Sequence, residues 1–130
     1  MSHPFVIAID FDGTIVDSIF PAIIGLKKDS KKVINKLYDD GVQIVIWTCR
    51  TGFDLQNAEN YLRKNEINFH HINENTPQRI QQYGGDTRKI SADLYVDDKA
   101  YGCHINWSYI YRHVCFLRKL KNNQGEYVYL

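Results

Sequence analysis

The stretch Phe5-Val-Ile-Ala-Ile-Asp10-Phe-Asp-Gly-Thr14 decides the fold class of this chain. Its first five residues form a continuous apolar run rich in β-branched side chains, a pattern typical of a strand buried on both faces. The run ends abruptly in Asp10-Phe-Asp-Gly-Thr14, as such a strand ends at a polar loop. Strands buried on both faces belong to parallel sheets covered by helices, so the stretch predicts an α/β protein.

Two further segments are predicted strands followed by polar residues, and the first of them, 42–47, repeats the buried-strand pattern. Residues 42–47 end in Thr48-Cys-Arg50, and residues 92–96 end in Asp97-Asp98. Alternating strands and helices with short connections predict a Rossmann-like three-layer sandwich with a mainly parallel sheet. The carboxyl ends of parallel strands meet at one edge, so we expect these polar residues to lie together there.

Helical periodicity accounts for the segments between the strands. Ser30 predicts the N-cap of a first helix, and Gly41 follows where a left-handed residue is favoured. Asp54 predicts the N-cap of a second helix. The remaining expectations are a weak strand over 69–72, a loop over 73–89 with one helical turn near 78–82, a helix over 107–120 and a short edge strand after Gly125.

Length and composition limit the possible classes of protein. The chain has 130 residues, which fit a single domain over 1–130, and 44% of them are hydrophobic. A net charge of +1 provides no broad basic field, so nucleic-acid binding is not indicated. The three cysteines show no C-x-x-C spacing, and the apolar run 5–9 is too short for a signal peptide or membrane span. We therefore expect a cytoplasmic protein with no membrane partner.

Four carboxylates are expected at the polar sheet edge: Asp10, Asp12, Asp97 and Asp98. Such a concentration of negative charge is unfavourable unless protons or a cation neutralise it. Oxygen ligands favour Mg²⁺, which Asp10, Asp97 and the backbone carbonyl of Asp12 can hold, with Asp98 as a further candidate. The five histidines have no ligand spacing typical of zinc.

A magnesium ion beside these groups suits phosphoryl transfer. With an ordinary pKa of about 3.9, Asp10 is expected to be ionised and able to attack phosphorus. Asp12 could protonate the leaving oxygen and then deprotonate water, which requires a raised pKa. Thr48, and the amides of the loop that holds Gly13 and Thr14, could bind phosphoryl oxygens.

These motifs together resemble the haloacid dehalogenase-like hydrolase superfamily. The DFDGT stretch, Thr48, Lys89 and Asp97-Asp98 stand in the order of its four motifs, over residues 5 to 98. The resemblance implies an Mg²⁺-dependent phosphatase with Asp10 as nucleophile and Asp12 as acid and base. It further implies that Thr48 and Lys89 bind phosphate and that Asp97 binds the metal, with Asp98 as a ligand or as a partner that orients Lys89 or a water.

The resemblance also implies a member without a cap domain. Caps of this family are inserted where this chain has only residues 15–29 and 73–88. The site is then open unless a homo-oligomer supplies a lid, and the substrate is a phosphorylated small molecule or macromolecule end. The surrounding sequences are similar to small capless members from bacteria and phages, which leaves the substrate unassigned.

Several alternatives stay open at the level of sequence. Lys99 competes with Lys89 as the phosphate-stabilising lysine, and Arg50 could contact the leaving group or pair with an acidic neighbour. Asn73 and Asn75 fit either substrate contact or ordinary turns. A non-catalytic protein that binds phosphate and Mg²⁺ on the same fold is the alternative function. A receiver domain is disfavoured by the order of the DxDGT motif.

Overall fold

A parallel four-stranded sheet forms the centre of the protein, in a computed structural model that describes residues 4–102 and 104–124. Along the chain the elements are β1 (Val6–Ile9), β2 (Val16–Ile19), β3 (Ala22–Leu26), α1 (Ser30–Asp39), β4 (Gln43–Ile46), α2 (Gly52–Lys64), β5 (His71–Ile72), α3 (Pro77–Tyr83), β6 (Leu94–Val96) and α4 (Trp107–Gln124). The sheet order is β5-β4-β1-β6, and every pair in it is parallel.

The central strand β1 is buried on both faces, as its apolar run predicts. Because side chains alternate along a strand, Ile7 and Ile9 join one core cluster while Val6 and Ala8 join another. The larger cluster includes buried residues of α1, α2 and α4, and the smaller one includes Ile90. The arrangement is a Rossmann-like three-layer α/β fold, which confirms the predicted fold class.

Two of the predicted helix caps are wrong. The helix α1 begins at Ser30 itself, and its N-cap is Asp29, a left-handed residue with φ of 64°. The helix α2 begins at Gly52 after the N-cap Thr51, so Asp54 lies inside its first turn. The left-handed conformation expected after α1 is confirmed at Gly41, whose φ is 90°.

An antiparallel hairpin, β2–β3, directly follows the DFDGT stretch and was not predicted. Its start is fixed to the loop by a bridge between Asp12 and Val16, and its end by the Lys27 amide, which donates to the Ile15 carbonyl at 2.9 Å. The hairpin tip contains Phe20 and Pro21, and Phe20 is exposed. The hairpin therefore stands beside the carboxyl end of β1.

The later elements agree broadly with expectation. The predicted turn near 78–82 is the short helix α3, and the predicted C-terminal helix is α4. Among the described residues, no helix is long and apolar enough to cross a membrane. The edge strand expected after Gly125 lies outside the described residues.

A buried ion-pair network ties the amino end of the sheet to α3 and α4. Asp93 accepts hydrogen bonds from the Val6 amide at 2.7 Å, Arg79 Nη2 at 2.7 Å and Lys121 Nζ at 3.1 Å. Its side chain is only 8% exposed. Removing one partner of a buried pair leaves the other charges desolvated and uncompensated.

We therefore expect Asp93→Ala to lower the free energy of unfolding by about 3 kcal/mol. The matched control is Asp17→Ala, which removes the partner of Lys27 in an exposed pair and should cost no more than about 0.5 kcal/mol. Urea denaturation of both variants measures the difference. If both variants lost the same small free energy of unfolding, the Asp93 network would not be important for stability.

Candidate active site

Three carboxylates converge at the carboxyl edge of the sheet. Asp10 follows β1, and Asp97 and Asp98 follow β6. One oxygen of each lies within 4.8 Å of the others. This all-oxygen donor set fits a hard divalent cation such as Mg²⁺. The structure therefore brings together three of the four carboxylates expected there.

The surroundings of Asp10, the candidate nucleophile, strongly shift its pKa. Burial, the neighbouring charge of Asp97 and a hydrogen bond with Asp98 raise the pKa of Asp10 to about 7 from its ordinary 3.8. A hydrogen bond from the Thr14 hydroxyl opposes this shift, at an Oγ1–Oδ2 distance of 3.2 Å. The expectation of an ordinary pKa for Asp10 is therefore wrong. A bound cation would offset the repulsion and favour the ionised form.

This raised pKa predicts a pH-dependent effect of Asp10→Asn on stability. The neutral carboxyl is favoured in the folded state, so ionising Asp10 destabilises the fold progressively as pH rises from about 4 through 7. The asparagine variant should melt roughly 5 °C above the wild type at pH 8. The gap should close toward pH 4, where both side chains are uncharged, and should shrink on addition of Mg²⁺. Calorimetric melting across this range tests it, and a pH-independent gap would contradict it.

Gly13 and Thr14 position the carboxylates. The Thr14 hydroxyl accepts a hydrogen bond from the Asp98 amide at 3.0 Å while it donates to Asp10. Gly13 has a φ of 80°, and a Cβ atom there would overlap the Asp98 carboxylate. The Thr14 carbonyl is held by the indole N–H of Trp107 at the start of α4, at 3.0 Å.

The amides of Gly13 and Thr14 are engaged within the loop, contrary to their predicted role with phosphate. The Gly13 amide donates to the Val16 carbonyl at 2.8 Å, and the Thr14 amide donates to the Phe11 carbonyl at 3.3 Å. Because these hydrogen bonds form the tight loop, the two N–H groups are directed inward. In this conformation Gly13 and Thr14 support the carboxylate cluster instead of offering amides to phosphoryl oxygens.

Asp12 lies outside the three-carboxylate cluster because Arg50 holds its side chain. Nε and Nη2 of Arg50 donate to the two Asp12 oxygens at 2.8 and 2.7 Å. Burial acts to raise the pKa of Asp12, but hydrogen bonds from Arg50 and Ser18 and the charges of Arg50 and Lys99 outweigh it and lower that pKa below 3.8. The expected rise in the pKa of Asp12 is therefore wrong for the free protein. The Asp12 carboxylate also does not belong to the group of Asp10, Asp97 and Asp98 that could hold a metal ion. Binding of Mg²⁺ by the backbone carbonyl of Asp12 stays a prediction.

Arg50 pairs with an acidic neighbour and is buried, which is one of its two sequence interpretations. Its guanidinium also donates to the backbone carbonyls of Pro21 and Asp54, at 3.0 and 3.2 Å. The side chain is 0% exposed, so in this conformation it does not offer a hydrogen bond to a leaving group. The predicted substrate contact by Arg50 is therefore replaced by a role in fixing Asp12.

Thr48 stands at the end of β4 and is fixed by Asn73, which directly follows β5. The Asn73 side chain accepts from the Thr48 amide at 2.8 Å and donates to the Thr48 carbonyl at 3.0 Å. The Thr48 hydroxyl accepts from the Arg50 amide at 3.1 Å and keeps its own proton to donate. Sequence analysis left the role of Asn73 open, although an asparagine directly after a strand end was a usable signal.

The two candidate lysines differ in their surroundings. Lys89 is exposed, and its ammonium lies 5.3 Å from the centre of the Tyr95 ring. Among the described contacts, none joins Lys89 to the carboxylate cluster, whereas the charge of Lys99 acts on Asp12. The Lys99 amide also donates to Asp97 Oδ1 at 2.9 Å. The structure therefore places the charge of Lys99 where it acts on Asp12 and Lys89 on a neighbouring loop, and the choice of the lysine that stabilises phosphate stays a prediction.

Asn75 anchors that loop, a role that the sequence did not reveal. It is buried, accepts from the Ser91 amide at 2.6 Å and donates to Asp86 at 2.8 Å and to the Thr87 carbonyl at 3.1 Å. These bonds fix both sides of Lys89. Asn75 is thus a structural residue of the loop that presents the lysine.

Comparisons with known proteins support the fold. No protein-family model and no curated protein matches the chain. The chain is similar to a solved structure of a conserved protein from Bacteroides thetaiotaomicron, with 29% identity and a TM-score of 0.78. The match covers 88% of this chain and 92% of that chain. This likeness agrees with the α/β architecture.

Proposed function

We propose that the protein is an Mg²⁺-dependent phosphatase that hydrolyses phosphate monoesters, as a member of the haloacid dehalogenase-like hydrolase superfamily without a cap domain. The observation that carries the proposal is the convergence of Asp10, Asp97 and Asp98 within 4.8 Å at the carboxyl edge of the sheet. Asp12 lies in the loop that follows β1, and Thr48 lies just after β4, the strand that pairs with β1. Carboxylate nucleophile, cation ligands and hydroxyl donor are the groups that phosphoryl transfer needs.

In the first step, an oxygen of Asp10 attacks phosphorus and the bond from phosphorus to the leaving oxygen breaks. Asp12 donates a proton to that oxygen, so the substrate departs as an alcohol and Asp10 becomes an aspartyl-phosphate. The Thr48 hydroxyl donates to a phosphoryl oxygen. Mg²⁺, held by Asp10, Asp97 and Asp98, would neutralise charge on the phosphoryl group.

In the second step, Asp12 removes a proton from water, which attacks the phosphorus of the aspartyl-phosphate and releases inorganic phosphate and Asp10. Burial acts to raise the pKa of Asp12, but the hydrogen bond from Arg50 helps to lower it overall, so the carboxylate is ionised and able to accept this proton. Its preceding role as an acid requires a proton, which the negative charge of a bound phosphoryl group favours by raising the pKa of the neighbouring carboxylate. Arg50 keeps the carboxylate in place throughout.

The absence of a cap is supported by the two segments where caps are inserted in the family. Residues 16–26 form the β2–β3 hairpin, and residues 77–83 form the short helix α3, so neither segment forms a separate domain. An open site accepts a phosphorylated small molecule or the end of a macromolecule, and a second subunit could act as its lid. The exposed thiol of Cys49 suits a reducing compartment, so we also propose a cytoplasmic location.

A non-catalytic protein that binds phosphate and Mg²⁺ is a second candidate function. It is favoured by the bidentate Arg50–Asp12 pair, because an acid residue held in its ionised form cannot protonate a leaving group. Such a protein would keep the carboxylate cluster and serve as a regulatory or sensor subunit. The two functions differ in turnover and share the binding site.

Hydrolysis of a panel of phosphate monoesters, beginning with para-nitrophenyl phosphate, separates these candidates. We expect activity with Mg²⁺ that falls by at least about a hundredfold with excess chelator and returns when Mg²⁺ is restored. Binding of Mg²⁺ and phosphate without turnover of any ester would favour the regulatory protein. Failure to bind either would contradict the assignment of the site.

A further inference from the structure

Three exposed apolar side chains lie on the hairpin tip and the first turn of α2, the two segments that Arg50 binds beside Asp12. Ile19 and Phe20, at the hairpin tip, are 75% and 60% exposed, and Phe53, in the first turn of α2, is 86% exposed. We call Ile19, Phe20 and Phe53 the apolar rim. Grouped apolar side chains with this exposure are typical of binding surfaces.

The apolar rim is joined to the catalytic groups through Arg50. The centre of the Phe20 ring lies 5.0 Å from Arg50 Cζ, and the same guanidinium binds both oxygens of Asp12. It also binds the carbonyls of Pro21 and Asp54, so the hairpin tip and the first turn of α2 meet around one side chain. The three rim residues therefore belong to segments fixed beside Asp12.

The position of Asp12 indicates which part of a substrate meets the apolar rim. An acid that protonates the leaving oxygen lies about 3 Å from it. The organic part of the substrate is attached to that oxygen and thus begins beside Asp12. Arg50 is buried and paired with Asp12, whereas the Phe20 ring, 5.0 Å from the guanidinium, is exposed, so an organic part on this side would meet Phe20.

We propose that the apolar rim binds the leaving group, and that the substrates are small phosphate monoesters whose leaving group carries a planar aromatic ring. The inference rests on the proposed phosphatase function. Arg50, the cation that packs on the Phe20 ring, is paired with Asp12 and offers no free charge to an anionic leaving group. A polyol leaving group would place hydroxyls against Phe20 without partners, whereas a ring gains by stacking on it.

Benzyl phosphate and ethyl phosphate test the inference, because both release primary alcohols and differ mainly in the ring. We expect a wild-type kcat/KM about tenfold higher for benzyl phosphate. Phe20→Ala should lower the value for benzyl phosphate about five- to tenfold and that for ethyl phosphate less than about twofold, with Phe20→Leu in between. The control Phe116→Ala alters an exposed aromatic ring on α4 and should change neither value.

Two outcomes would overturn the inference while the phosphatase function stands. Equal kcat/KM values for the two esters in the wild type would show that the ring is not bound. Equal losses for both esters in Phe20→Ala would show that Phe20 acts only by holding Arg50 and Asp12. A dimer that dissociates in Phe20→Ala, measured by sedimentation, would show that a second copy of the chain covers the apolar rim, and would also overturn it.

Failure of the phosphatase function itself gives a different result. If no ester is hydrolysed, titration calorimetry with benzylphosphonate and methylphosphonate in Mg²⁺ still reports binding. Tighter binding of benzylphosphonate that depends on Phe20 would support the apolar rim as a ligand surface without turnover. Equal affinities, or no binding of either compound, would overturn the inference.

Discussion

Asp10→Asn should lower kcat/KM for any phosphate monoester by at least about a thousandfold. The amide cannot attack phosphorus to form the acyl phosphate, and the substitution also removes one charge from the three-carboxylate cluster. The fold should be kept, because the Asp10 side chain is crowded by like charges in the cation-free protein. Steady-state hydrolysis, with circular dichroism to verify folding, measures both effects.

The matched control for this variant is Asp17→Asn. Asp17 lies on β2, is exposed and pairs only with Lys27 among the described ion pairs. The same chemical change outside the cluster should leave kcat/KM within about twofold of the wild type. An Asp10→Asn protein with more than about a tenth of the wild-type activity would show that Asp10 is not the nucleophile.

Gly13→Ala should weaken Mg²⁺ binding by about ten- to a hundredfold. The new methyl group would overlap the Asp98 carboxylate, and alanine is strained at a φ of 80°. Asp98 must therefore move away from Asp10 and Asp97, which disperses the oxygen ligands. Titration calorimetry with Mg²⁺ measures the loss of affinity directly.

Gly25→Ala provides the control for this second variant. Gly25 lies on β3, and a Cβ atom there would meet nothing within 4 Å. Its Mg²⁺ affinity should equal that of the wild type. If Gly13→Ala bound Mg²⁺ as tightly as Gly25→Ala, the close packing of Asp98 on Gly13 would not be needed for the cation site.

The sheet and its polar edge could be predicted because their signals are local in sequence. An apolar β-branched run that stops at aspartate places a buried strand and its carboxyl end, as at Asp10, and the shorter strand β6 likewise ends at Asp97. Once parallel strands are inferred, the meeting of these ends follows from topology. The carboxylate cluster was therefore foreseeable from two short segments, the ends of β1 and β6.

The features that sequence analysis missed depend on contacts between distant segments. Asp12 and Arg50 are 38 residues apart, and only the folded chain shows that they form a partly buried bidentate pair. This pair lowers the pKa of Asp12, while burial and the neighbouring carboxylates raise that of Asp10. The sequence analysis expected a raised pKa for Asp12 and an ordinary one for Asp10, so the order of the two pKa values is reversed. The prediction of Ser30 as an N-cap was wrong because the chain turns one residue earlier, at Asp29.

The hairpin escaped prediction because its apolar side chains face solvent. Ile19, Phe20 and Ile24 are exposed although apolar, so the sequence of β2–β3 lacks the alternation of apolar and polar residues by which half-buried strands are recognised. Exposed apolar residues of this kind are consistent with a binding role more than with core packing. The apolar residues of the rim were thus visible in the sequence, but their exposure was not, because the hairpin that carries Ile19 and Phe20 was not predicted.

The most direct test of the proposed chemistry is chemical trapping of the aspartyl-phosphate. The protein is mixed with substrate and Mg²⁺, quenched in acid during turnover and reduced with borohydride, which converts an aspartyl-phosphate to homoserine. Peptide mass spectrometry should then find homoserine at position 10, at none of the other aspartates, and not in samples treated with chelator. Active turnover without modification at Asp10, or with modification at another residue, would contradict the account.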